Sequence, residues 1–217
     1  HPARQDINNQ LLELHEIKIY PKLTGKCIRH FRIAYGYFSS PFANPFASYF
    51  IPYNLSDSLR LKLLSVDEVS GDSSIVKPRY VFTYQDSLTL PRRLSFDQDH
   101  WGFSNSAAVT NRFLTPGGVW LSALGCSDSY GANREPSWPQ MSAGTLTGIR
   151  DPLGVTTSFQ YEAHQVTTGA LPTGGTMVGG LRIKQITVTD NVTNTSMIRK
   201  FQYGTGVLYK VPCYVAN

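Results

Sequence analysis

With 217 residues, of which 41% are hydrophobic and only 16% charged, the chain is long enough to bury a core and too apolar to be a disordered segment. Its net charge of +5 comes from basic residues scattered singly, with Arg92-Arg93 and Arg199-Lys200 the only adjacent pairs, so no phosphate-binding footprint forms and nucleic acid is not expected as a partner. No apolar run reaches the length of a transmembrane helix, and the 18 glycines, 13 prolines and 12 tyrosines suit many strands joined by tight turns.

Residues 1–10 are polar and aperiodic and read as a linker. A first hairpin follows near 14–35, with Leu14, Ile17 and Ile19 going in, a turn at Pro21–Lys26 and Cys27–Tyr37 returning. On the return, Phe31, Ile33, Tyr35 and Tyr37 alternate with Arg32, Ala34 and Gly36, so one face is aromatic and apolar. Leu14-x-x-Ile17 breaks that alternation, and one extra residue, a β-bulge, restores the inward direction. The stretch 37–53 then carries seven aromatic rings among Pro41, Pro45 and Pro52, which exclude a central strand. Its rings either cover the sheet or, at Phe42, Phe46 and Tyr49, offer a stacking platform for a glycan.

A second hairpin is expected near 59–84, from Leu59, Leu61, Leu63, Leu64 and Val66 through Ser70-Gly71-Asp72-Ser73 to Val76–Tyr84. Residues 88–141 form an irregular excursion, with short strands expected at 92–96 and 119–124. The third hairpin, near 146–161, turns at Asp151-Pro152-Leu153-Gly154, the side-chain acceptor, preset φ and permissive exit of a type I turn. The fourth, near 183–203, turns at Asn191–Asn194. Gly174-Gly175 and Gly179-Gly180 read as turns leading into a strand. The return strands share an ending: Phe82-Thr83-Tyr84, Phe159-Gln160-Tyr161 and Phe201-Gln202-Tyr203, with Ile33-Ala34-Tyr35 as a variant. Such self-similarity predicts an all-β array of antiparallel hairpins.

Chemistry-bearing groups are sparse. Cys27, Cys126 and Cys213 are too dispersed for a zinc site and read as three reduced, buried thiols, the alternative being one disulfide and a free thiol. Asp97, Asp99 and His100 carry the groups of a metal site or an acid–base pair. With no second His or Cys cluster, and with Trp101-Gly102 beside them, they read as a structural block anchoring a packed turn. No catalytic, cofactor or metal residue is assigned, and the chain is not expected to be an enzyme.

Three blocks carry a family resemblance. Pro91–Phe103 is similar to a recurrent "P-R-x-S-…-D-H-W-G-[YF]" pattern, Gly144–Tyr161 to "G-x-L-x-x-I-x-x-P-x-G-x-T-x-F-x-Y", and Val178–Ile186 to "V-G-G-L-R-I-x-x-I". Together the hairpins resemble the tyrosine-aspartate (YD) repeats of the Rhs family, in the form found on Bacteroidetes surface proteins, over most of 11–205. Tyr161 and Tyr203 are followed by Glu162 and Gly204 rather than aspartate, so the repeats are degenerate. The resemblance implies hairpins laid into an extended, curved sheet, within a secreted or cell-surface protein of which this chain is a piece. It implies a non-enzymatic role, part of a shell or stalk that carries or encloses a C-terminal partner, a toxin in many members. The alternative is a carbohydrate-binding or adhesive module built on the aromatics of 37–53.

Overall fold

The computed structural model describes residues 4–7, 12–41, 55–70, 79–93, 95–105, 116–117, 132–167, 176–204 and 206–207. Among them the fold is all-β and holds no α-helix, only short 3-10 turns at Gln5–Ile7, Leu55–Ser58 and Gln140–Ser142. None of its helices is long and apolar enough to cross a membrane. The strands are β1 (Glu16–Ile19), β2 (Arg29–Ser39), β3 (Leu59–Val69), β4 (Tyr80–Tyr84), β5 (Pro116–Gly117), β6 (Ala132–Asn133), β7 (Leu146–Arg150), β8 (Val155–Thr167), β9 (Thr176–Asp190), β10 (Thr195–Lys200) and β11 (Gly206–Val207). Nine form one open sheet in the order β1-β2-β3-β4-β7-β8-β9-β10, with β11 added in parallel to β8. Every other pairing in it is antiparallel.

The tight turns follow from their side chains. Asp151 Oδ1 accepts the N–H groups of Leu153 and Val155, both at 2.9 Å, and Gly154 at φ +90° closes the bend. Asp190 Oδ1 does the same for Val192 at 2.8 Å, and Asn194 takes the left-handed conformation, φ 55°, that asparagine tolerates better than most residues. Both loops leave the flanking strands in register, so each of these two hairpins is specified by residues close in sequence.

The repeated Phe-x-Tyr ending has one structural meaning. In all four hairpins the tyrosine hydroxyl donates to a carbonyl of its own incoming strand: Tyr35 to Leu14 at 3.1 Å, Tyr84 to Leu63 at 2.8 Å, Tyr161 to Leu146 at 2.7 Å and Tyr203 to Ile183 at 2.6 Å. Each acceptor lies one residue past the position that would face the tyrosine if the hairpin's register continued. The same row marks the joints between hairpins. Where Tyr35 meets β3, Tyr84 meets β7 and Tyr161 meets β9, the register shifts, and Leu64, Thr147 and Lys184 are the extra residues. Each stands directly after an acceptor, so the tyrosine caps a carbonyl at a bulge, where the ladder is interrupted. Burial raises the phenol pKa of Tyr35, Tyr84 and Tyr161 above the usual value, which keeps them protonated donors.

Losing one such bond costs about 0.5–1.5 kcal/mol. Tyr161→Phe is therefore expected to lower stability by that amount in a urea titration, and Tyr203→Phe by less, because Tyr203 is 43% exposed. An unchanged midpoint for Tyr161→Phe would mean that water already serves the Leu146 carbonyl.

Several expectations need correction. The bulge placed at Leu14-x-x-Ile17 is absent from the β1–β2 pairing, which is regular. It occurs at the matching Leu63-x-x-Val66, Leu146-x-x-Ile149 and Ile183-x-x-Ile186, on the side facing the previous hairpin, and β1 has no previous hairpin among the described residues. Residues 4–7 are not a free linker: Asp6 is buried, pairs with Arg4 at 2.9 Å and accepts the Leu61 N–H at 3.3 Å. No strand forms at 92–93 or 95–96, because the backbone there turns back on itself, Ser95 N–H donating to the Arg92 carbonyl at 3.0 Å. Cys27 is only half-buried, its thiol donating to the Arg29 carbonyl at 3.2 Å. The four like endings suggest four like burials of their rings, yet Phe201 and Tyr203 are exposed, because no strand covers the outer edge of β10 among the described residues. The expected strand at 119–124, Pro78, Cys126 and Cys213 lie outside the described residues.

Candidate functional site

The excursion between β4 and β7 leaves and rejoins the sheet at one point, where Gln85 N–H donates to the Thr145 carbonyl and Gly144 N–H to the Gln85 carbonyl, at 2.9 and 3.0 Å. It packs on the sheet largely through polar groups. Arg92, Asp97, Asp99, Asn105 and Arg134 are all buried, an arrangement that is stable only if their hydrogen bonds are made internally.

Asp97, Asp99, His100 and Trp101 lie together in one compact turn. Ser95 Oγ donates to Asp97 Oδ2 at 2.7 Å and accepts the Asp97 N–H at 3.1 Å. Asp99 Oδ1 accepts the N–H groups of Trp101 and Phe103, both at 2.9 Å, while the Asp99 N–H donates to the Phe103 carbonyl at 2.8 Å. Gly102, at φ +90°, allows the reversal. Arg134 reaches across the excursion and donates to the Asp99 carbonyl at 2.7 Å. Burial pushes the Asp99 carboxyl up, against the opposing pull of those backbone N–H groups and of Arg134. Burial, then Arg134, pushes the His100 imidazole down, so it is neutral at physiological pH. Its ring meets Trp101 edge-on at 5.9 Å.

The turn docks on β9 at a glycine. A Cβ on Gly179 would stand 2.4 Å from Trp101 Cε3 and 2.5 Å from Asp99 Oδ2. Gly179 and Gly180 therefore do not form a turn leading into a strand. They sit inside β9, in a bulge against Ala163 and His164, where one gives room to Trp101 and the other adopts φ +110°. Two of the three resembling blocks thus meet at Gly179.

A hollow of about 300 Å³ lies beside the turn, walled by Arg60, Pro91, Asp97, Gly102, Phe103 and Met141 among others, and His100 is not in its lining. Next to it, the buried Arg92 pairs with the buried Asp57 of the turn preceding β3, and Arg60 donates to the Pro91 carbonyl at 3.0 Å. No three His, Cys, Asp or Glu side chains among the described residues are placed to hold a metal ion. Phe42, Phe46 and Tyr49 lie outside the described residues. The arrangement is suited to holding the excursion on the sheet: Asp99 Oδ1 binds backbone N–H groups, Asp97 the Ser95 hydroxyl and Asp57 the Arg92 guanidinium. The sequence signs of Gly179, Arg134 and Asp57 as partners were absent, since each contact joins residues more than thirty apart; only the Arg92-Arg93 pair stood out.

Comparison of the chain with family models, curated proteins and solved structures returns no match.

One carboxyl nearby gives a pH test. Burial pushes Glu135 up to about 7 from its ordinary 4.5. The unfolded chain releases that proton first, so this group's contribution to stability falls as pH rises between those values and stays low above them. Glu135→Gln is expected to be near neutral at about pH 4 and stabilising at about pH 8, read from melting midpoints at both. An equal effect at the two pH values would show that the carboxyl is solvated.

Proposed function

We propose that this chain is a non-enzymatic structural segment of an Rhs/YD-repeat type of protein, secreted or displayed at the cell surface. In this reading it forms part of the wall of a shell or stalk that carries or encloses a C-terminal partner, such as a toxin domain. The supporting observation is the row of tyrosine-capped bulges. It repeats one joint at every step across the sheet, as a surface built by adding hairpins requires, and it spends the most distinctive residues of the sequence on construction. The Asp97–Phe103 turn supports the same reading, because Asp99 Oδ1 is taken up by the backbone N–H groups of Trp101 and Phe103.

Electron microscopy of the protein with its natural flanking sequence tests this. The expected image is a continuous curved wall with a second body attached or enclosed; a compact particle that turns over a substrate overturns it. A second reading, a carbohydrate-binding or adhesive module, draws on Trp138. That ring is 41% exposed and lines two neighbouring hollows with Lys184, Gln160 and Gln165, a planar face beside amide and ammonium donors. Glycan-array binding lost in Trp138→Ala, or in Phe42→Ala, Phe46→Ala and Tyr49→Ala, would favour it.

A further inference from the structure

The row of joints ends in two unmet halves. At one edge, β1 is an incoming strand whose Leu14-x-x-Ile17 matches Leu63-x-x-Val66, Leu146-x-x-Ile149 and Ile183-x-x-Ile186, and no return strand lies outside it among the described residues. At the other edge, Phe201-Gln202-Tyr203 continues the return strand β10, and no incoming strand faces it among the described residues. Among the described residues both edges are unpaired and expose apolar side chains. Leu12, Leu14, Ile17, Ile19 and Tyr20 are 41–63% exposed at the first, and Met197, Ile198, Phe201 and Tyr203 are 40–54% exposed at the second. The unpaired N–H and C=O groups of an edge strand can template pairing with another chain.

We propose that a second copy of this chain supplies the missing partner, its β1 adding antiparallel to β10 in a head-to-tail contact. The three joints inside the chain set the register. Tyr35, Tyr84 and Tyr161 face Leu63, Leu146 and Ile183, and Ile33, Phe82 and Phe159 face Val66, Ile149 and Ile186. By the same rule Tyr203 faces Leu14 of the second copy, His15 is the extra residue, and Phe201 faces Ile17.

That register also satisfies the backbone, which played no part in choosing it. Ile33 N–H donates to the His15 carbonyl, so alternation turns the amide groups of Glu16 and Lys18 outward. Phe201 N–H donates to the Lys184 carbonyl, so Ile198 and Lys200 point outward from β10. The register pairs Lys200 with Lys18 and Gln202 with Glu16, outward groups on both sides; a slip of one residue would oppose outward to inward. The contact is heterologous and does not close on itself, so it continues into a chain of copies. It does not depend on what the sheet carries.

Sedimentation velocity of the 217-residue protein over a range of concentrations tests it. The expected result is a mass that rises past the dimer as concentration increases. Lys18→Pro and Lys200→Pro each remove one outward N–H and leave the internal ladder intact, so melting should show both folded and each alone should sediment as a monomer. Mixed, they retain one competent edge each and should form a 1:1 dimer and nothing larger. Lys18→Glu turns a like-charge pair opposite Lys200 into an attractive one and should tighten association about threefold. A wild-type monomer at every concentration, a mixture that stays monomeric, a closed dimer untouched by either proline, or weaker association in Lys18→Glu would each overturn the proposal.

Discussion

Asp57→Ala is expected to destabilise the protein by about 3–5 kcal/mol, more than any tyrosine in the row. Asp57 and Arg92 form an ion pair in which both side chains are at least 93% buried. Removing the carboxylate leaves a guanidinium in a site with little water to solvate it. The exposed pair Lys18–Glu16, at 2.9 Å, matters far less, because water screens it and leaves either partner solvated when the other is removed. The pair is also placed to matter, because Asp57 precedes β3 and Arg92 belongs to the excursion, whose Arg93 N–H donates to the Asp57 carbonyl at 2.9 Å. Its loss should loosen the excursion from the second hairpin. The double variant Asp57→Asn with Arg92→Met removes both charges and should recover much of the loss. Denaturant titration of the three chains decides it; a drop below about 1 kcal/mol for Asp57→Ala would show that water reaches Arg92.

Among the glycines of the described residues, Gly179→Ala should be the most damaging added methyl, since its contacts are the closest. The added carbon would overlap Trp101 Cε3 and Cδ2 and Asp99 Oδ2; Asp99 is fully buried and cannot move aside, so the 41% exposed Trp101 must lift off β9. Overpacking of this kind costs about 1–3 kcal/mol and at times more. A control is at hand in Gly204→Ala, where nothing lies within 4 Å of the added carbon and no loss is expected. Tryptophan fluorescence should report the change directly, since Trp101 must shift for the methyl to fit. If Gly179→Ala melts like wild type with unaltered emission, the excursion does not rest on β9 as described.

The hairpins were legible because their information is local. Alternation in Val155–Tyr161 and the turn chemistry of Asp151–Gly154 each fit within a dozen residues, and the strands lie there. The tyrosines were half legible. Their recurrence showed in the sequence, as did the broken alternation at Leu14-x-x-Ile17. However, a hydroxyl reaching a carbonyl 15 to 21 residues back leaves no mark in a period-two pattern, so the two signs were not joined. Leu63-Leu64, two adjacent apolar residues in a strand, was the overlooked trace of the same bulge. The excursion was the least legible part. Arg92 and Asp57, or Trp101 and Gly179, are far apart in sequence, and polar anchoring has no periodicity to reveal it. Glycine in β9 was therefore taken for backbone freedom when Gly179 is needed for space.

The return of the excursion to its starting point has a consequence for how such a chain can change. Tyr84 and Leu146 stand some sixty residues apart in the sequence and yet face each other in the same relation that Tyr161 and Ile183 keep. Alignment from one hairpin to the next is thus carried by a tyrosine and the residue facing it, not by the length of chain between them. Closing a longer loop adds little, about 0.6 kcal/mol for each doubling. The gap between Gln85 and Gly144 therefore behaves as a socket, into which a different insert of similar span at its ends can be grafted while the strands on either side keep their positions.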